Sequence, residues 1–286
     1  MAMDEYTTIA ALRARLAIER AAGRTIGFAP TMGFLHDGHL ALVDDLRHRA
    51  DVVVMSIFVN PLQFGPNEDL SRYPRNIERD RSLAASRGVA ILFVPTVEEM
   101  YPPGSEIRVV AGATASHWEG ACRPGHFDGV LTVVAKLFNI VQPDVAGFGQ
   151  KDIEQVTLIT KMVRDLDLPL AIRVLPTVRE ADGLALSSRN VYLTPEARIQ
   201  ALSLSQALRA VAARWATGER DADVLRGVAA AVFAASHGVV PDYVAIADPE
   251  TLAPVAWADA GTIVAVAARI GTTRLIDNVI LMAEHS

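Results

Sequence analysis

Three observations in this sequence predict an α/β fold built on a parallel sheet. Short apolar runs alternate with amphipathic stretches from Thr25 to Leu175, the rhythm of strands joined by helical crossovers. One of the runs, Val52–Val59, is interrupted only by Ser56, as expected of a strand covered on both faces. After Val178 the rhythm changes to two Ala-rich helical segments followed by three short strand-like runs. The prediction is a Rossmann-like parallel-sheet domain over residues 1–177 and a smaller α+β domain over residues 178–286.

The elements follow in order. Ile9–Ala22 reads as a helix ended at Gly23, and Thr25–Pro30 as a short buried strand. Gly38–Ala50 carries Leu40, Val43 and Leu46 at helical spacing. After the strand Val52–Val59, the Pro-, Gly- and Asn-containing stretch Asn60–Pro74 reads as a loop. A helix over Asn76–Arg87 and a strand over Val89–Val94 come next. Tyr101–Phe127 is irregular, with a strand expected at Ile107–Val110. Val130–Val141 (helix), Val145–Phe148 (strand), Ile153–Leu166 (helix) and Ala171–Leu175 (strand) complete the first domain. In the second, helices are expected at Pro195–Thr217 and Asp221–Ser236, split by Gly218, and strands at Asp242–Ala247, Thr262–Ala268 and Thr273–Met282.

Composition narrows the class. Of 286 residues 51% are hydrophobic and 21% charged, which suits a large core and excludes a disordered chain. The formal net charge of -6 gives no reason to expect nucleic acid as a partner, although a site can be locally positive in an acidic protein. The single cysteine, Cys122, forbids an internal disulfide, fits a reducing cytoplasm and has no activating pattern around it. No apolar run is long enough to span a membrane, and Met1–Glu5 shows no signal-peptide pattern.

The polar clusters fall at one kind of place. Thr31–His39, Asn60–Gln63, Gly149–Asp152 and Val178–Arg189 each lie just past the carboxyl end of an apolar run. In open parallel sheets that edge binds ligands, so the four clusters imply one composite site. The first cluster contains His36-Asp37-Gly38-His39 at a strand-to-helix junction. Gly33 and Gly38 allow a tight turn and a close approach to a ligand. Two histidines three residues apart share a face on a first helical turn. There, with the free N–H groups of the helix start, they can hydrogen-bond phosphate and stabilise charge on a departing group. Metal ligation by the pair is the rival reading, with no third ligand of matching spacing. Lys151 can neutralise charge on phosphates, and Asp152 can cap the following helix or meet a ribose. Ser187, Ser188 and Arg189 form a phosphate-holding set. Asp80 is a weak candidate for a metal ligand, against the plainer reading of an exposed helix carboxylate between Arg79 and Arg81.

The His-x-Gly-His tetrad matches the nucleotidyltransferase signature, which alone leaves carboxylate adenylylation, aminoacyl-tRNA charging and cytidylyl transfer open. The ordered series Pro30–His39, Asn60-Pro-Leu-Gln63, Tyr73-Pro-Arg75, Arg123-Pro-Gly-His-Phe127, Gly149–Asp152, Asp182–Asn190, Gly271–Arg274 and Asp277-Asn278 resembles the pantoate–β-alanine ligase (pantothenate synthetase) family over nearly the whole chain. The resemblance implies that ATP activates pantoate as an adenylate, which β-alanine then attacks. It implies an ATP site of Met32, Gly33, His36, Gly38, His39, Gly149, Lys151, Asp152, Val178, Leu186, Ser187, Ser188 and Arg189, with His39 as proton donor and His36, Lys151 and Arg189 also catalytic. Gln63, Gln155 and Asn60 would meet the small substrates. Magnesium with the ATP, and a homodimer, are further implications. Two positions depart from the family pattern: Gln150 replaces a usual Glu, which puts nucleotide affinity in doubt, and Phe34 stands where smaller or polar residues are usual.

Overall fold

The computed structural model describes residues 3–66 and 68–283; Met1, Ala2, Asn67 in the first long loop and residues 284–286 lie outside it. Six strands form one parallel sheet: β1 (Asp4–Tyr6), β2 (Ile26–Thr31), β3 (Val52–Ile57), β4 (Ile91–Phe93), β5 (Val145–Gly149) and β6 (Ala171–Leu175). Their spatial order is β1-β4-β3-β2-β5-β6. Chain order therefore runs outward from β2 to β3 on one side, while β5 and β6 lie on the other. The crevice between the ends of β2 and β5 is the topological switch point of this sheet.

Alternation along each strand feeds two cores. Ile26, Phe28, Val52, Val54, Ile91 and Phe93 face one side, where they meet α1 (Ile9–Ala21), α6 (His126–Val141) and α7 (Ile153–Asp165). Ala29, Val53, Met55, Ile57 and Leu92 face the other, against α2 (Asp37–Arg47) and α3 (Ile77–Ser86). Two short helices, α4 (Val97–Met100) and α5 (Trp118–Cys122), lie in the irregular stretch before α6.

The remaining residues build α8 (Pro195–Ala216), α9 (Ala222–Ala234) and an antiparallel sheet of β7 (Val239–Ala247), β8 (Ile263–Ile270) and β9 (Thr273–Ile280). The two helices cover one face of that sheet and enclose a separate core from Leu184 to Leu281. Its other face, through Ala245, Ile263 and Ala265, packs on Ile153 of α7 and Trp118 of α5.

The architecture is the α/β fold expected, with four local differences. Ile107–Val110 is not a strand: Ile107 and Val110 are 89% and 73% exposed. The backbone there finds side-chain partners, with the N–H groups of Val109 and Ala111 donating to Thr132 Oγ1 and Asp128 Oδ1 at 3.0 and 2.8 Å. The edge strand β1 is not expected from the sequence, because three residues with two acids carry no apolar period. Helix α6 begins four residues before the expected Val130, since Gly125 at φ 80 turns the chain directly into His126. Strand β7 begins before the expected Asp242, because a bulge at Pro241 lets an edge strand carry a proline.

Helix α6 also carries a close approach that only glycine allows. A Cβ on Gly129 would sit 2.2 Å from the Leu62 carbonyl oxygen, in the 3-10 turn Pro61–Gln63 that ends in a site residue. Gly129→Ala should lower the unfolding free energy by about 3 kcal/mol, read in urea as a shifted midpoint at unchanged slope.

Candidate active site

The loop from β2 to α2 is held in an uncommon shape. Gly33 and Phe34 both have left-handed backbones, at φ 83 and φ 50. For a phenylalanine that conformation costs on the order of 1 kcal/mol. Asp80 offsets the cost: Phe34 N–H and Leu35 N–H donate to its Oδ2 and Oδ1 at 2.7 and 2.8 Å. Neighbouring Arg79 donates to the Leu35 carbonyl at 2.7 Å, and Ser188 Oγ donates to the Phe34 carbonyl at 3.3 Å. Both expectations for Asp80 are thereby corrected. It is 1% exposed, not a surface carboxylate, and both of its oxygens already hold backbone N–H groups. Its place between two arginines conceals this role. Gly33 is buried, and a Cβ there would lie 2.8 Å from Ile57 Cγ2, so its lack of a side chain lets the loop lie on β3.

So held, the loop delivers His36 to the N-cap of α2. The rings of His36 and His39 lie 4.0 Å apart, centroid to centroid. His36 N–H donates to His39 Nδ1 at 3.3 Å, which leaves the proton of a neutral His39 on Nε2. Burial, then the Lys151 charge, push His36 down to about 4. Burial, then His36 and Lys151, put His39 well below its ordinary value. At neutral pH the pair is therefore two neutral imidazoles at the positive end of an eleven-residue helix, and His36 Nδ1 is buried without a partner among the described residues.

Every other residue expected in the site lines one cavity of about 240 Å³ at the switch point. A larger cleft of about 880 Å³ adjoins it beneath the C-terminal sheet and shares Lys151, Asp152, Gln155, Ser187 and Arg189 with it. Val130, Val133, Val134 and Leu137 of α6 make the apolar wall of the smaller cavity. Met32 follows β2 at its rim, and Val178 and Leu186 meet through a backbone hydrogen bond of 3.0 Å that closes a small hairpin there.

Individual side chains differ in how free they are. Among the described residues the one ion-pair partner of Lys151 Nζ is Asp152 Oδ1, at 3.5 Å. Asp152 holds the N-cap position of α7 without making a capping hydrogen bond. Arg189 is paired with Asp69 through Nε and Nη2, both at 2.9 Å. Ser187 Oγ accepts from Arg189 N–H at 3.2 Å. Asn60 is spent: Nδ2 donates to Gln63 Oε1 and the Gly129 carbonyl, and Oδ1 accepts from Leu62 N–H and Tyr101 OH. Asn60 thus orients Gln63 and offers no free group. With Oε1 held by Asn60, the Gln63 amide turns its Nε2 donors away, and they have no protein partner among the described residues.

Arg123 and His126 supply what the sequence leaves without a role. His126 Nδ1 donates to the Gln63 carbonyl at 2.8 Å, and its Nε2 accepts from Arg123 Nη1 at 3.0 Å. Burial, then the Arg123 charge, push His126 down to about 4. Arg123 is itself fixed by Glu68 at 2.7 and 2.5 Å. The signal for these two is their place in the Arg123–Phe127 motif; nothing in its spacing shows that they grip Gln63. The Gln150 side chain is spent on Asn278, to whose Oδ1 it donates at 3.2 Å, so an amide suits that position. Among the described residues no group of three or more His, Cys, Asp or Glu side chains is placed to hold a metal ion.

Comparison with known proteins shows the family. The family model described as pantoate-beta-alanine ligase matches residues 4–280. A pantothenate synthetase of Moorella thermoacetica is 54% identical over 279 residues, covering 98% of this chain and 99% of that protein. The crystal structure of pantothenate synthetase from Thermus thermophilus superposes with a TM-score of 0.93 at 50% identity, over 98% of this chain and 100% of that one. The pantoate-beta-alanine ligase of Francisella tularensis, complexed with beta-gamma ATP and beta-alanine, does so with a TM-score of 0.80 at 34% identity, over 98% of each chain.

Two outcomes follow from the site's geometry. Asp80→Ala leaves two buried N–H groups unpaired beside a strained residue and should cost about 3 kcal/mol of stability, measured by urea unfolding. His36 and His126 take up protons less readily folded than unfolded, so the unfolded chain gains protons first as pH falls. The stability they contribute is complete above about 6.5 and is lost toward about 4. The thermal midpoint should drop across that window, and His126→Asn should flatten the drop; an unchanged slope would contradict the assignment.

Proposed function

The chain belongs to the pantoate–β-alanine ligase family, and we propose that it joins the two substrates through an acyl adenylate. In the first step the carboxylate of pantoate attacks the α-phosphorus of ATP, forming a P–O bond as the bond to pyrophosphate breaks. In the second, the amine of β-alanine attacks the acyl carbon, forming the amide as AMP leaves and the amine's proton passes to solvent. An adenylate is already an activated acyl group, so the site needs no nucleophilic Ser or Cys, and catalysis rests on position and charge.

One observation carries this reading: two neutral imidazoles at the start of α2 share the switch-point cavity with Lys151. Neutral rings donate hydrogen bonds to phosphate without first being stripped of a competing carboxylate. His39 would donate through Nε2 as negative charge grows on the leaving pyrophosphate, with His36 beside it and the Lys151 ammonium neutralising the same charge. Met32, Gly38, Gly149 and Asp152 would border the nucleotide with the backbone of Val178 and Leu186. Ser187, Ser188 and Arg189 would meet the phosphates, Arg189 exchanging its Asp69 carboxylate for a phosphate of like charge. Gln63 Nε2 and Gln155 would hold pantoate's oxygens while its dimethyl carbon packs on Val130, Val133 and Val134.

Asp80 is committed to the loop, so magnesium enters only as the ion carried on the triphosphate. In this reading the chain divides at residues 177 and 178 into a substrate-binding domain and a lid, and it works in the cytoplasm. No helix among the described residues is long and apolar enough to cross a membrane. A homodimer belongs to the same reading, with exposed apolar helix surface of the first domain as the interface.

Labelled pyrophosphate should exchange into ATP when pantoate is present and β-alanine is absent; active protein that shows no such exchange would rule out the adenylate. His39→Ala and Lys151→Ala should each lower the exchange rate about 100-fold or more with little change in thermal midpoint.

A further inference from the structure

Lys151 sits on a 3-10 turn, Gln150–Asp152, between β5 and α7. Such a turn leaves carbonyl oxygens unpaired, and here two of them are taken by a residue from the other end of the chain. Asn278 Nδ2 donates to the Gln150 carbonyl at 2.9 Å and to the Lys151 carbonyl at 2.8 Å. Its Oδ1 accepts the Gln150 side chain. Asn278 lies on β9, an outer strand of the C-terminal sheet, and is 1% exposed. Its own backbone is fixed in turn: Asn278 N–H donates to Asp277 Oδ1 at 2.8 Å. Asp277, 3% exposed, is held by both ends of the Arg179 guanidinium at 2.6 and 2.9 Å. Arg179 belongs to the hairpin whose Val178 and Leu186 border the cavity.

This chain of contacts reaches the lysine backbone and stops there. Among the described residues the Lys151 side chain has no partner stronger than Asp152 at 3.5 Å, so its direction is set by where its Cα and carbonyl are held. An amide is the one short side chain that can donate to two adjacent carbonyls and accept in the same plane. Asp277 and Asn278 are among the motifs of the sequence, and neither lines the smaller cavity.

We propose that Asn278 is a positioning residue for the adenylation step: by gripping the carbonyls of Gln150 and Lys151 it aims the Lys151 ammonium at the phosphates, and it does so only while the C-terminal sheet is docked. The inference rests on the role given to Lys151 above. It makes the C-terminal sheet part of the catalytic geometry and not a cover alone.

The test is a double-mutant cycle in pantoate-dependent pyrophosphate exchange, with thermal unfolding of each variant. Asn278→Ala should lower kcat about 10- to 100-fold, the usual cost of a displaced catalytic group, while KM for ATP changes less than about threefold. Asn278→Asp, close in shape but without donors, should do the same and serves if the alanine variant does not fold. In a Lys151→Ala background either change should cost less than about twofold, because its route to the chemistry is already gone. Gln150→Ala removes a side-chain partner but leaves both carbonyls held, and should stay within about twofold of wild type. A wild-type kcat in Asn278→Asp, a full additional loss in the Lys151→Ala background, or a Gln150→Ala loss as large as that of Asn278→Ala would each overturn the proposal. If Lys151→Ala itself turned over normally, the earlier assignment of Lys151 would fall and this one with it; a slow Lys151→Ala beside a normal Asn278→Asp would remove only the present inference.

Discussion

The site depends on one buried carboxylate. Asp80 accepts the N–H groups of Phe34 and Leu35, and without it the chain would have no reason to pass through two left-handed residues before α2. That passage decides where α2 begins, which puts His36 at the cap and His39 one turn on. It also aims the Phe34 carbonyl at Ser188, tying the loop after β2 to the segment after β6. Hydrogen bonds to a charged acceptor are stronger than neutral ones, and this acceptor is held 1% exposed on α3. The His36–His39 end of the cavity thus inherits the rigidity of the sheet and of a helix packed on its back.

A second feature of the site is that most of its charge is already balanced within the protein. Arg189 is paired with Asp69 and Arg123 with Glu68, while His36 and His126 are held neutral by burial. Donors arranged before the ligand arrives need not reorganise during reaction, which is where electrostatic catalysis gains most. Among the described residues Lys151, the Nε2 donors of Gln63 and His36 Nδ1 are left without a strong partner.

The two sheets are joined by both apolar and polar contacts. Ile153 and Trp118 meet the inner face of the C-terminal sheet. Tyr243 and Arg274 from that sheet converge on buried Glu119 of α5. Asn278 then reaches the turn that carries Lys151. Apolar contact holds the sheets together, and directional hydrogen bonds choose one register among the arrangements that apolar contact would permit.

Strand and helix order, the switch-point edge and the His36–His39 turn are legible in the sequence, because each is written in local periodicity or in a few consecutive residues. Fifteen of the sixteen site residues read from it line the one cavity, and Gly33 does not. What the sequence could not determine is partnership. Asp80, between Arg79 and Arg81, has the pattern of a surface helix residue, and only the packing of α3 against the sheet buries it under a loop 46 residues away. Asn60 reads as a ligand contact because an exposed amide and a spent one look the same until Gly129 and Tyr101 arrive from distant elements. Ile107–Val110 has the composition of a strand but no strand beside it. Local pattern is set by covalent neighbours, whereas burial, pKa and hydrogen-bond satisfaction belong to groups brought together across the chain, and those only the tertiary structure decides.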